Sequence, residues 1–145
     1  MANSDSDDEE QNDELRRYNE HVNESEGFDV PDFIPKGIYF GLLYRVNLSN
    51  PDKLKDVTLC AKFAIKHYNH LPENNERKLK LLKVLKATYG YRNYNITLKA
   101  RDDSGFVTTH ETKVFYASHS NERLVRLFRP KRKKQEVDQS RQEVK

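Results

Sequence analysis

Asn50-Pro51-Asp52 opens the one long helical stripe in this chain, and every patterned segment after it reads as a strand. Asn50 suits an N-cap, Pro51 the first helical position, and Asp52 the positive end of the helix dipole. Leu54, Val57, Ala61, Ile65 and Tyr68 then recur at spacings of three and four, with Cys60 and Ala64 widening the stripe, until Asn69, His70 and Pro72 end it. Ile38 to Val46 predicts a strand before the helix and Leu79 to Tyr91 one after it. Tyr94, Ile96, Leu98 and Ala100 alternate with Asn95, Thr97 and Lys99, the clearest strand signature in the chain. Asp102-Asp103-Ser104-Gly105 reads as a turn, and Thr109 to Ala117 and Leu124 to Arg129 as two more strands. The order β-α-β-β-β-β predicts an α+β layer, with one amphipathic helix across a four- to five-stranded antiparallel sheet.

Composition narrows the class further. At 145 residues the chain has room for one domain. Its single cysteine excludes a disulfide scaffold and a thiolate zinc centre. The longest apolar run, Gly37 to Tyr44, falls far short of the roughly 18 residues a membrane helix needs. The opening MANSDSDDEE lacks a basic start and an apolar core, so the expected address is cytoplasmic, nuclear or both, without secretion.

The formal net charge of +3 conceals a split. Residues 1–29 hold eleven acids and two arginines, giving −9, and few apolar groups, so they are expected to form a disordered acidic tail. A short helix over Asp13 to Val22, with Leu15, Tyr18 and Val22 on one face, is its only structural signal. Residues 30–130, the expected folded domain, carry eighteen bases against nine acids, giving +9. Residues 131–145 add +3 and are expected to be a second, basic disordered tail. There Lys131, Arg132, Lys133 and Lys134 follow Arg129-Pro130 in the manner of a nuclear import signal, a flexible cationic string suited to an acidic receptor groove. Ser4 and Ser6 each have an acid three residues downstream, a pattern that favours acidophilic kinases.

The segment Cys60-Ala61-Lys62-Phe63-Ala64-Ile65-Lys66-His67-Tyr68-Asn69 resembles the helix motif of plant cystatins, in the cystatin/monellin superfamily. Leu82 to Ala87 and Tyr94 to Ala100 resemble that family's second and third strands, Val114-Phe115-Tyr116 falls in the fourth, and Gly27-Phe28-Asp29-Val30-Pro31 is similar to openings of related plant proteins. The resemblance spans about residues 36–130 and implies a cystatin-like fold. Family inhibitors enter papain-like proteases with a glycine-containing N-terminal segment, a Gln-x-Val-x-Gly hairpin and a Pro-Trp hairpin. The matching positions here are Gly37, the loop Tyr89-Gly90-Tyr91-Arg92 and the loop Ser118-His119-Ser120-Asn121. Neither hairpin carries the inhibitory residues: the first has no Gln or Val and the second no Pro or Trp. The resemblance therefore implies a protein-binding relative of the inhibitors with degenerate loops, its partner a protein of which a papain-like cysteine protease is one class.

Chemistry-bearing patterns are sparse. Cys60 and His67 sit two helical turns apart, roughly 10 Å, beyond the reach of a nucleophile and its base. His67 and His70 have metal-compatible spacing but no third ligand nearby in sequence. His110 carries no motif, and glycines at 27, 37, 41, 90 and 105 form no phosphate loop. The sequence predicts a non-enzymatic chain without cofactor or metal. A nuclear or nucleic-acid-associated factor using the basic tail is the rival expectation, since cationic runs bind phosphates without sequence preference.

Overall fold

The computed structural model describes residues 2–33 and 42–131, with side chains from Asp13 onward. Helix α1 (Ala2–Glu24) is followed by strand β1 (Tyr44–Arg45), helix α2 (Pro51–His70), a 3-10 turn (Pro72–Asn74) and strands β2 (Leu79–Gly90), β3 (Asn93–Asp102), β4 (Val107–Ala117) and β5 (Glu122–Pro130). The strands form one five-stranded antiparallel sheet in sequence order, so the α+β layer expected from the pattern is present. Of the predicted strand Ile38 to Val46, residues 38–41 lie outside the described residues, and of the remainder only Tyr44–Arg45 is strand.

Helix α2 begins as its sequence dictates: the Asn50 side chain accepts hydrogen bonds from the Asp52 and Lys53 amides at 3.0 and 3.3 Å. Its stripe of Val57, Cys60, Ala61, Ala64 and Ile65 is buried against Val84, Ala87, Ile96, Leu98, Ala100 and Val114 of the sheet. Asn69 closes the far end, exchanging hydrogen bonds with the Leu79 backbone at 2.8 and 2.7 Å. Strand β3 buries residues on both faces, Tyr94, Ile96 and Leu98 toward α2 and Asn95 and Thr97 away from it. Something must therefore cover the second face.

The cover is the end of the acidic N-terminal segment: the composition leads to an expectation of disorder over 1–29, whereas Ala2–Glu24 is helical and the residues just after it pack on the sheet. Helix α1 ends in a hook in which Gly27, at φ +87°, lets its amide reach the Val22 carbonyl at 2.8 Å. The hook lies across the sheet. The Gly27 carbonyl accepts from Thr88 Oγ1 at 2.5 Å, Lys113 Nζ donates to the Glu26 carbonyl at 2.5 Å, and Phe28 is 1% exposed. Lys113 and Arg129 stand over the Phe28 ring at 5.2 and 5.7 Å. Glu26 pairs with Arg129, and Asp29 with Lys86 and Arg45 at 3.5 and 3.4 Å. Burial pushes the Asp29 carboxyl up, but Lys86, the Val30 amide and Arg45 outweigh it and hold the group below its ordinary value. Tyr18 and Phe28 are buried against the rest of the chain, and two of the segment's acids, Glu26 and Asp29, meet bases of the sheet. Composition evaluated over 1–29 alone does not register those partners.

His110 is buried on the α2 side, its Nε2 2.6 Å from Thr108 Oγ1 and its ring stacked on Phe128 at 5.2 Å, while Nδ1 has no hydrogen-bond partner among the described residues. Burial lowers its pKa from 6.5, so the folded chain holds it neutral. The unfolded chain takes up the proton first, so stability is full above pH 6.5 and falls as the pH drops below it. Asp29 contributes in the same direction only in the carboxylate range, below about 3.8. Denaturant unfolding at stepped pH should show a decline from pH 6.5 to 5 that His110→Gln flattens. An equal decline in both proteins would remove His110 as its cause.

Candidate functional site at the hairpin end

Sheet register brings both sequence-predicted loops to one end of the molecule. Gly90 pairs with Asn93, leaving Tyr91-Arg92 as a two-residue turn between β2 and β3. Ala117 pairs with Glu122, leaving Ser118 to Asn121 as the turn between β4 and β5, all four exposed. The Tyr116 amide donates to the Arg92 carbonyl at 2.9 Å, so the two tips are neighbours. Strand β1 runs beside them, with Tyr44 opposite Tyr89. Gly37 lies outside the described residues, as do Arg132, Lys133 and Lys134; Lys131 is exposed, its amide donating to the Thr109 carbonyl at 2.9 Å.

The first tip is strained. Tyr91 and Arg92 have φ of +54° and +62°, the left-handed region that two-residue hairpins require and that Asn-Gly fills cheaply. A tyrosine and an arginine there cost about 1–2 kcal/mol each relative to residues suited to it. Gly90, the residue expected at the turn, instead lies in the strand: a methyl at its Cα would overlap Leu43 Cδ2 and crowd the Leu42 carbonyl. Asn93 Nδ2 donates to the Tyr91 carbonyl at 3.1 Å, and Arg126 Nε to Asn93 Oδ1 at 3.1 Å, bracing the turn from beneath. Tyr91 is 72% exposed.

Sequence reading missed the row of rings beneath the tips. Tyr44, Tyr89, Tyr94 and Tyr116 follow one another across four strands, with centroids 5.6, 4.6 and 6.4 Å apart. Arg123 continues the row, 4.6 Å over Tyr116, and Tyr116 Oη donates to Asn121 Oδ1 at 3.1 Å. Burial raises the Tyr94 pKa, which keeps that ring neutral. The signal was the register itself, since Tyr89 and Tyr94 sit opposite each other only if the turn is Tyr91-Arg92. On the other face of the hairpin, Val22, Asn23, Gly27, Leu43 and Tyr91 line an open cleft of about 430 Å³. Tyr18 Oη donates to the Leu43 carbonyl, tying α1 to the segment entering β1.

The remaining candidates are dispersed. Cys60 is fully buried and its thiol pKa is raised by burial, while His67 is exposed on α2. Among the described residues no three His, Cys, Asp or Glu side chains converge on a common point, and no helix is long and apolar enough to cross a membrane. No protein-family model matches the chain, and no curated protein matches its sequence.

Proposed function

We propose that this chain is a non-enzymatic protein-binding module of cystatin-like architecture that meets its partner with the hairpin end. The observation that carries the reading is the Tyr91-Arg92 turn: two bulky side chains at positive φ, one of them largely exposed, where Asn-Gly would be cheaper. Strain of this kind persists where a side chain is needed at the position. Tyrosine and arginine are also the residue types that dominate protein–protein contacts. The resemblance to plant cystatins supports the same end of the molecule, because β1, the first hairpin and the second hairpin converge there. The tip carries bulky side chains and lacks the Gln, Val, Pro and Trp of the inhibitory hairpins, so the contact is a surface of tyrosines and arginines, and a papain-like protease should keep its activity at micromolar concentrations of this protein. Inhibition at nanomolar concentrations would overturn the assignment of degenerate loops.

A further inference from the structure

The sheet face away from α2 is divided in two by the N-terminal hook. Beneath the hook, Lys86, Arg45 and Arg129 meet Asp29, Asp32, Glu26 and Glu111. Below it, two rows of the same face carry only cations across β2 and β3: Lys83 lies opposite Lys99, and Lys80 opposite Arg101. All four are exposed, and none forms an ion pair among the described residues. The closest acids in sequence, Asp102 and Asp103, share a shallow cavity with Lys80 and Arg101, but Asp102 is occupied by the turn, accepting from the Ser104 and Phe106 amides at 3.0 and 2.9 Å.

Like charges directly opposite one another on a sheet destabilise it. Lysines on an exposed edge strand have a separate use, since they deter pairing with another chain, and the outer edge of β2, opposite β3, has no partner strand along Leu79 to Lys86 among the described residues. That use does not extend to Lys99 and Arg101, which stand on β3, between β2 and β4. The basic surface also continues round the β2 edge. An open groove of about 790 Å³ between the end of α2 and the start of β2 is lined by Lys62, Lys66, Lys78 and Lys80, with His70 and Asn75 and, among the described residues, no carboxylate.

The geometry points to a binding site for the phosphodiester backbone of single-stranded nucleic acid, running from this groove over Lys80 onto the Lys83, Lys99 and Arg101 rows. A concave, cation-lined track suits a linear polyanion better than it suits a planar anionic surface. Among the described residues the track presents no aromatic ring for base stacking, so recognition is of the backbone and independent of sequence. It lies at the opposite end of β2 and β3 from Tyr91 and Arg92 and is separate from the proposed protein contact.

Fluorescence anisotropy with a labelled mixed-sequence 20-mer DNA tests this. If four contacts form, log K against log salt should fall with a slope of about −2.8, a loss of roughly 50-fold between 50 and 200 mM. K99Q/R101Q should make the slope shallower by about 1.4. K53Q/K55Q, which removes the same charge from the exposed start of α2, should leave it unchanged. Equal effects of the two variants would overturn the site and reduce it to net charge. Absence of salt-dependent binding by the unaltered protein would also overturn it, as would binding to phosphatidylserine vesicles without binding to the oligonucleotide.

Discussion

Replacing Phe28 by alanine should lower the stability of the whole chain by about 3 kcal/mol, the range found when a buried phenylalanine is truncated. The ring is 1% exposed and is the main apolar anchor of a segment that reaches the sheet from 60 or more residues away in sequence. Its removal leaves a cavity beneath Lys113 and Arg129, whose charges lose the ring they face. Lys113 is itself partly desolvated there, and burial lowers its pKa. For a chain of this size the loss corresponds to a fall in Tm of about 10 °C. Phe28→Leu, which keeps an apolar body but no π face, should cost less than half as much. Thermal unfolding followed by circular dichroism measures both. An unchanged Tm for Phe28→Ala would mean the hook is not part of the cooperative unit.

The Tyr91-Arg92 turn should respond in the opposite sense. Tyr91→Asn with Arg92→Gly supplies the residues that two positive φ values favour, so the double variant should gain about 2–4 kcal/mol. The same variant removes the most exposed ring and the cation of the tip, and with them the proposed partner contact. Stability up and binding down is the pattern of a strained functional position. A double variant no more stable than the parent would show that the turn carries no strain. Retained binding would show that the strain has no use in recognition.

Much of the α2 side of the fold was legible from local chemistry. Asn50 caps α2 through its own neighbours, and the Tyr94 to Ala100 alternation needs no distant partner to be read. Strand β2 was bounded by the sequence to within a residue, but not its facing pattern, because its register shifts between Leu81 and Lys83 and again between Val84 and Lys86, which breaks the period of two and leaves Leu82 and Leu85 exposed. The second face was not legible, because its cover comes from contacts such as Thr88 to Gly27 and Lys113 to Glu26, 61 and 87 residues apart. The site divides the same way. Loop positions Tyr89 to Arg92 and Ser118 to Asn121 could be named from a resemblance, but the strain at Tyr91-Arg92 and the tyrosine row depend on which residues pair across the hairpin. The two basic rows likewise become visible only when Lys83 is set against Lys99 and Lys80 against Arg101.

The hook also changes the meaning of the charge split. Its acids neutralise the upper part of the basic face, an electrostatic cover held by an apolar anchor, and leave the lower rows unpartnered among the described residues. Net charge by region therefore describes this chain less well than the pairing of individual groups.

The central claim is that the hairpin end is the protein-binding surface. Its most direct test is a quantitative affinity capture comparing four immobilised proteins: the parent, Tyr91→Ala/Arg92→Ala, Tyr44→Ala, and K99Q/R101Q. A partner held by the parent and by K99Q/R101Q, lost with Tyr91→Ala/Arg92→Ala and weakened with Tyr44→Ala, is the predicted result. Equal capture by the parent and Tyr91→Ala/Arg92→Ala would contradict it.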